Sequence, residues 1–418
     1  MNKDAGAGDR KEPIPQAAPI ANNNAGVERG LSFNRMEFSG ALGDLGTLLP
    51  IVVAMILINK LSPTAVFLSF GLFYLFTGFF YRLPVPVQPL KAVGAIAIAY
   101  PAVITESVIG ASGIIFGAFL LFLSITGTVD KIAKLFTQPV IRGIQLALGL
   151  VFLRKGVELI LQKNLFISGV PGMFSEFNIN LIIGLVVFIL VLVLLDNKKL
   201  PAALAALIVG ITAGLALGGT SGLRLSMGPT DIRLITPTLA DFWTAFIMLI
   251  LPQIPLTIGN ACVGVADTCY SLFPNNPLLS KAKAGTFALS MGLVNFPAGF
   301  LGAVPMCHGT GGLAAHYRFG ARTGGAPVMI GMLFVIVALA FGELGFALFA
   351  TIPNSVLGVL LIFAGLELCP LVRSLKANEE YFVALLITGI SLAVPNMAWA
   401  FGIGIIADLI IRKLKIKI

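Results

Sequence analysis

Charged side chains are scarce in this 418-residue chain: Asp, Glu, Lys and Arg make up 11% of it, where a soluble globular domain has about 25%. There are only two histidines, two tryptophans and four cysteines. These scarcities exclude a charge-rich disordered chain and a disulfide-stapled secreted domain. Hydrophobic residues make up 57% of the sequence and the mean hydropathy is +0.96. One soluble core cannot bury that much apolar surface, so we expect an all-α polytopic membrane protein.

The chain also lacks the side-chain clusters that enzymes and metal sites require. The four cysteines lie in apolar stretches, and the two histidines, His308 and His316, have no zinc-ligand spacing around them. No nucleotide-binding motif occurs, and no histidine has a partnered nucleophile. We therefore predict no enzyme activity, no cofactor and no metal. The net charge of +9 belongs to loops between apolar runs, which argues against a nucleic-acid partner.

Thirteen polar or Gly/Pro-rich breaks divide residues 35 to about 412 into fourteen apolar segments. With both termini cytoplasmic, 20 of the 28 Lys and Arg residues fall on the inner side and 6 on the outer side, as the positive-inside rule requires. The sequence thus predicts fourteen transmembrane spans in a cell (inner) membrane. Residues 1–34 are polar and lack the apolar run of a signal peptide, so we expect a disordered cytoplasmic tail.

Fourteen spans divide into two units of seven, and an odd-numbered unit forces its second copy to insert upside down. Residues 85–95 align with residues 304–314 at an offset of 219, with three of eleven positions identical. Both segments fall in the third span of their half, and both are short and Gly/Pro-interrupted. Paired interrupted spans are a pointer to a transporter binding site. We predict a 7+7 inverted repeat, with the first unit over 35–218 and the second over 219–413.

These two segments are predicted to form half-helices whose N-termini face each other. Pro86 and Pro89 break a continuous helix, and Pro89 suits the first turn of a half-helix. In the second unit, glycines 309, 311 and 312 let an anion approach the backbone. Helix N-termini carry free N–H groups and a partial positive charge, which attract anions. We therefore predict a binding site for a small oxyanion between spans three and ten.

Several polar side chains inside the spans are assigned to this site. Lys91 lies too deep for easy snorkelling, and an intramembrane cation is functional by default. The predicted substrate-binding residues are Thr47, Gln88, Lys91, Gln253, Asn260, His308, Gly309, Thr310, Gly311 and Gly312.

Three further residues receive separate roles. Asp44 is the proton-coupling candidate, although pairing with Lys91 or a bond to a backbone N–H stays open. Arg318 and Arg322 are predicted to steer anions at the cytoplasmic exit, with a plain topological role as the alternative. Glu367 and Asp408 also lie in or near spans, where a structural role is favoured.

The sequence is similar to the molybdate transporter family, a branch of the SulP sulfate permeases. The resemblance rests on five motifs in the same order through both halves: residues 43–47, 84–91, 252–256, 305–314 and 317–322. It implies the fold of the uracil transporter, with a core domain of spans 1–4 and 8–11 and a gate domain of spans 5–7 and 12–14. It also implies that the cytoplasmic STAS domain of typical SulP proteins is absent.

The sequence and the resemblance together predict a secondary transporter of a tetrahedral oxyanion, with molybdate first and sulfate second. A coupling proton and a homodimer stay open. Two alternatives are a nucleobase carrier of the same fold and a channel-like anion conductor. Lys91 and the lack of an acid in the glycine run of span ten argue against a nucleobase.

Overall fold

The computed structural model describes residues 31–167, 179–195, 197, 201–219, 226–394 and 396–417, and residues 1–30 of the predicted tail lie outside this part. Helices dominate the described residues, with one two-residue strand in each half. The elements of the first half are α1 (Arg35–Leu42), α2 (Leu45–Ile58), α3 (Pro63–Tyr81), β1 (Gln88–Pro89), α4 (Lys91–Ala99), α5 (Glu106–Ile125), α6 (Val129–Ala133), α7 (Gln138–Leu161), α8 (Ile179–Leu194) and α9 (Ala202–Ala216).

The second half contains a long continuous helix over 239–272 whose α-helical winding is interrupted by two π-helical turns. Its α-helical parts are α10 (Leu239–Thr244), α11 (Leu251–Leu256) and α12 (Val265–Leu272), with π-helical turns at Ala245–Ile250 and Thr257–Gly264 between them. The remaining elements are α13 (Ala284–Phe300), β2 (Met306–Cys307), α14 (Thr310–Arg318), α15 (Gly325–Ala350), α16 (Asn354–Leu368), α17 (Asn378–Ala393) and α18 (Met397–Leu414), with 3₁₀ turns at Pro277–Lys281 and Cys369–Ser374.

The folded body begins a few residues earlier than the sequence predicts. Asn34 lies in the predicted tail, yet its side chain accepts hydrogen bonds from the N–H groups of Met36 and Glu37 and caps α1. The Ser32 N–H donates to the Thr323 hydroxyl at 3.0 Å. Residues 31–34 are therefore part of the fold, which corrects the predicted tail boundary.

The helices pack in two groups. In the first group α3 lies along α15, and α5 lies along α13. In the second group α16 and α17 both lie along α7, and α18 packs on α17. Glycines permit the closest of these contacts, since a Cβ at Gly110 would lie 2.7 Å from the Gly299 carbonyl oxygen and one at Gly156 would lie 2.5 Å from the Gly358 carbonyl oxygen. Small residues at such crossings let membrane helices approach backbone to backbone.

The two halves correspond residue by residue around the interrupted segments. Helices α4 and α14 are each nine residues long, and they begin 219 residues apart at Lys91 and Thr310. The strands β1 and β2 pair antiparallel, with Gln88 opposite Cys307, which is again an offset of 219. A residue that pairs with its own equivalent marks a local two-fold axis. The two half-helices therefore run in opposite directions, as the inverted repeat predicts.

Helix length and apolarity alone identify fewer spans than the sequence predicts. Among the described residues five helices are long and apolar enough to cross a membrane, and α1 with α2 makes a sixth if that pair, bent by 48°, is one span. The interrupted and shorter helices, such as α4, α8 and α14, fall below that length. The count of fourteen stays a prediction.

Candidate functional site

A cavity of about 730 Å³ lies beside the second helix group, against α7 and α16. One wall carries the start of α2 and the beginnings of α4 and α14, and the opposite wall carries parts of α7, α8, α9 and α16. Of the residues that the sequence assigns to substrate binding or exit, those that line it are Thr47, Gln88, Lys91, Asn260, Thr310, Gly311 and Arg318.

The half-helix α4 begins at Lys91, so Lys91 stands on its first turn at the cavity wall. The sequence prediction that Pro89 opens this helix is wrong, because Pro89 is held in β1 opposite Met306. The N–H of Ala92 donates to Gln253 Oε1 at 2.9 Å, and Gln253 Nε2 donates to the Thr257 hydroxyl at 2.9 Å. Gln253 is thus buried as a cap from another helix and does not line the cavity.

The half-helix α14 begins after Gly309, which has no side chain to cap it. The Thr310 hydroxyl donates a hydrogen bond to Asn260 Oδ1, which joins α14 to the π-helical turn over 257–264. Gly311 is exposed to the cavity, and an added Cβ there would meet no other atom within 4 Å. A ligand can therefore approach the backbone at Gly311.

Gly309 and Gly312 are glycines for a different reason. A Cβ on Gly309 would overlap the Gln88 carboxamide, and a Cβ on Gly312 would lie 2.6 Å from Asp44 Oδ2 and 2.7 Å from Gln88 Nε2. The Gln88 and Asp44 side chains thus fill the space beside α14. The absence of a side chain at Gly309 and Gly312 therefore makes room for internal packing. Of the three glycines, Gly311 is the one that a ligand can approach.

Asp44 lies at the break between α1 and α2 and is 2% exposed. Its Oδ1 accepts a hydrogen bond of 2.6 Å from Gln88 Nε2, whereas Oδ2 has no hydrogen-bond partner among the described residues. Lys91 and Glu367 are its charged neighbours. Asp44 lies behind Gln88 and outside the cavity lining, in electrostatic contact with the groups that do line it.

His308 is enclosed by protein. Its Nε2 lies 2.9 Å from the Ser290 hydroxyl and its Nδ1 lies 2.9 Å from the Pro86 carbonyl oxygen. The ring is fully buried and packs against Phe73, Tyr81 and Phe287. It holds β1 and β2 in place, and its side chain does not reach the cavity.

The two arginines at the end of span ten are placed differently. Arg318 lines the cavity at the C-terminal end of α14. Arg322 stacks on the Tyr317 ring at 3.6 Å from the ring centroid and donates to the Ala321 carbonyl oxygen at 2.8 Å. Arg322 is thus held by local contacts outside the cavity lining.

Three charged residues at the cavity, Glu367, Arg142 and Asp267, were not assigned to the site by sequence reasoning. Glu367 on α16 accepts a hydrogen bond of 2.9 Å from the Thr47 hydroxyl, and it is exposed to the cavity. Arg142 on α7 also lines the cavity, with its Nε donating to Ser374 at 2.8 Å and a terminal nitrogen donating to Gln145 at 2.9 Å. The available signal was their location inside apolar spans, where ionisable residues are functional by default.

Comparison with known proteins identifies the family. A family model described as "Molybdate transporter of MFS superfamily" matches residues 36–152 and 245–368, which is more than half of the chain. The chain belongs to the molybdate transporter family. Two relatives from Arabidopsis thaliana are molybdate transporter 2, 29% identical over 409 residues (90% of this chain, 87% of the relative), and molybdate transporter 1, 30% identical over 402 residues (88% and 86%).

Solved structures relate the fold of this molybdate transporter family member to known anion carriers. The transmembrane domain of the cyanobacterial bicarbonate transporter BicA matches with a TM-score of 0.64 at 15% identity, covering 89% of this chain and 96% of that one. The murine anion transporter Slc26a9, in its inward-facing state, matches with a TM-score of 0.66 at 15% identity, covering 96% of this chain and 73% of that one.

The family description mentions the MFS superfamily, whose two halves are parallel repeats. The antiparallel pairing of β1 with β2 instead relates the two interrupted segments of this chain by a local two-fold axis. The chain is an integral membrane protein of an anion-transporter family with this fold.

Proposed function

We propose that this protein is a secondary active transporter of a small tetrahedral oxyanion. Molybdate is its preferred substrate, and sulfate ranks second. The anion binds between the half-helices α4 and α14 and crosses the membrane by alternating access. In this proposal the half-helices belong to the core together with α3, α5, α13 and α15, and the group around α7 and α16 acts as the gate. Asp44 is the proton-coupling residue in this proposal.

One observation carries the proposal: two half-helix N-termini and one lysine converge on a single cavity. A dianion that leaves water loses a very large hydration energy, which an apolar pocket cannot replace. Oriented N–H groups at Gly311 and its neighbours supply fixed partial charges without moving. Lys91 supplies a full positive charge. The named substrates of the Arabidopsis relatives support molybdate as the first choice.

The cavity geometry supports a carrier that is open to the cytoplasm. Its volume of about 730 Å³ is far larger than a tetrahedral oxyanion, so it is a vestibule in front of the site. Gln138, Leu195, Pro201 and Phe319 line it, and each adjoins a loop that the sequence predicts to be cytoplasmic. Closure of the core against the gate would then occlude the anion.

Uptake into proteoliposomes tests the proposal. Purified protein should give saturable uptake of molybdate, and tungstate and sulfate should compete with it. Competition by uracil without competition by tungstate would support the nucleobase alternative. Unitary currents that do not saturate would support a channel-like conductor, and the absence of any oxyanion uptake would contradict the proposal.

A further inference from the structure

Two carboxylates have Lys91 as a charged neighbour, and only one of them has a role in the proposed transport cycle. Asp44 accepts a hydrogen bond from Gln88, and Glu367 accepts one from the Thr47 hydroxyl. Lys91 is the charged neighbour that both acids share. Among the salt bridges of the described residues none involves Lys91, so neither carboxylate neutralises it by direct contact.

An ionised Glu367 carboxylate at the cavity wall opposes anion binding. An ionised carboxylate at the cavity wall repels the substrate, and repulsion between charges a few ångströms apart amounts to several kcal/mol even at an effective dielectric constant of about 20. A dianion feels this repulsion twice over. A lysine alone cannot offset two carboxylates and a dianion in one place. A proton on each carboxylate removes both sources of repulsion.

We propose that Glu367 is a second proton carrier beside Asp44, so that each oxyanion dianion enters with two protons. This inference rests on the proposed function and specifies its coupling. One proton binds Asp44 Oδ2, and the other binds Glu367 Oε1, the oxygen that Thr47 does not contact. Both protons come from water on the outer side and leave to the inner side with the anion. Two protons balance two negative charges, so the site has the same net charge empty and loaded.

The surroundings of the two acids favour protons over fixed ion pairs. The charged groups that share the cavity with Glu367 are Lys91, Arg142, Asp267 and Arg318. Arg142 donates to the neutral side chains of Ser374 and Gln145, and among the described residues it forms no ion pair with either acid. Asp44 has as titratable neighbours Lys91, Glu367, the Tyr74 hydroxyl and the Cys307 thiol. Lys91 is thus the one cation near both acids in the described part of the chain, and it cannot neutralise two.

The position of Glu367 also links its proton to movement. Helix α2 packs against both α4 and α16, and α16 also lies along α7. The hydrogen bond between Thr47 and Glu367 therefore lies in the contact between α2 and α16. Movement of α2 away from α16 breaks this bond and frees the Glu367 oxygen that accepts it, which links the proton on Glu367 to the movement.

Proteoliposomes with imposed gradients test the stoichiometry. With the membrane potential clamped at zero, wild-type protein should accumulate molybdate about a hundredfold per pH unit, a factor of ten for each coupled proton. With no pH gradient, its accumulation should not respond to the potential. E367Q should accumulate molybdate about tenfold per pH unit. Because one negative charge then crosses without a proton to balance it, its molybdate accumulation should also change about tenfold per 60 mV of membrane potential. D44N should behave in the same way.

Two controls separate loss of a proton carrier from disturbance of the structure. E158Q alters a carboxylate that pairs with Arg154 and Lys155 away from the cavity, and it should keep the wild-type values. T47V removes the hydrogen bond to Glu367 but keeps the acid, so its rate can change while its proton stoichiometry stays at two. If T47V and E367Q show the same altered stoichiometry, the hydrogen bond and not the proton is responsible, and the inference is overturned.

Other outcomes distinguish the inference from the proposed function. A wild-type slope of about tenfold per pH unit, or an E367Q slope equal to the wild-type slope, overturns the two-proton inference and leaves oxyanion transport standing. If E367Q is inactive in transport, calorimetric molybdate binding in buffers of different ionisation enthalpy replaces the flux. E367Q should then take up about one proton fewer per bound anion than wild type, and equal uptake overturns the inference. Absence of molybdate and sulfate binding by wild type contradicts the proposed function itself.

Discussion

Gln88 donates a hydrogen bond of 2.6 Å to Asp44 across the space that a side chain on residue 312 would need. This contact joins the break between α1 and α2, the strand β1 and the start of α14. The Gln88 carboxamide is 1% exposed, so water cannot replace a lost partner easily. The positions of the half-helices therefore depend on the hydrogen bond between the Gln88 amide and the Asp44 carboxyl group.

Replacement of Gln88 by Glu should destabilise the protein, because two buried acids would then face each other without a donor between them. We expect a loss of about 2 kcal/mol or more, the usual cost of a buried polar group left without its partner. Thermal unfolding of the purified protein in detergent measures this. The double variant D44N/Q88E exchanges the amide and the acid and should recover most of the loss. Wild-type stability in Q88E alone would contradict the proposed contact.

Lys91→Ala should weaken molybdate binding much more than Arg322→Ala. Lys91 lies at the cavity wall on the first turn of α4, whereas Arg322 is held on the Tyr317 ring outside the lining. We expect at least about a tenfold loss for Lys91→Ala, the equivalent of about 1.4 kcal/mol, and little change for Arg322→Ala. Isothermal calorimetry decides between them. Equal affinities in the two variants would place the anion elsewhere.

Gly311 and Gly312 are neighbours with opposite expected responses to substitution. Gly311→Val should leave the melting temperature near that of wild type and abolish anion binding, because the new side chain points into the open cavity. Gly312→Ala should lower the melting temperature, since its Cβ would collide with Asp44 and Gln88. Paired measurements of binding and melting on both variants test this. A Gly311→Val variant that binds normally would show that the oxyanion does not approach α14.

Both chain termini are predicted to be cytoplasmic. Cysteines introduced at Asn23 and at Lys417 should resist a membrane-impermeant thiol reagent added to intact cells. Lys163→Cys, which lies at an exposed position on the predicted outer side, should react and serves as the positive control. Reaction at either terminus from outside would rule out the fourteen-span topology with cytoplasmic ends.

The local sequence predicted the interrupted helices well because prolines and glycines act at short range. The pairing of residues 85–95 with 304–314 was visible as a weak alignment, and the structure gives helices that begin at the same offset. The start of α4 was placed two residues early, because the preference of proline for a first turn was outweighed by the pairing of β1 with β2. That pairing joins residues more than 200 positions apart, which no local pattern reveals.

The site was harder to predict because a residue lines the cavity only if its side chain points that way, and residue type does not reveal this. Thr47, Lys91 and Gly311 reach the cavity, but Gln253 and His308 turn their polar atoms toward backbone and hydroxyl partners. Both kinds of residue occupy the same apolar stretches with similar spacing. Glu367 was interpreted as structural because its partner, Thr47, is 320 residues away in the sequence. Only the packing of α16 against α2 brings the two together.

The equivalence of Lys91 and Thr310 has a consequence for the ancestry of this protein. A gene duplication that produced two inverted units would have placed the same residue at both half-helix starts. A lysine at both would hold a dianion tightly and release it slowly, while a threonine at both would leave the dianion without a full countercharge. The two units of this chain instead carry one of each, about the axis through Gln88 and Cys307. In the proposed transport cycle, the difference between these two half-helix starts binds the anion unequally to the two units, which suits a carrier that must both capture and release it.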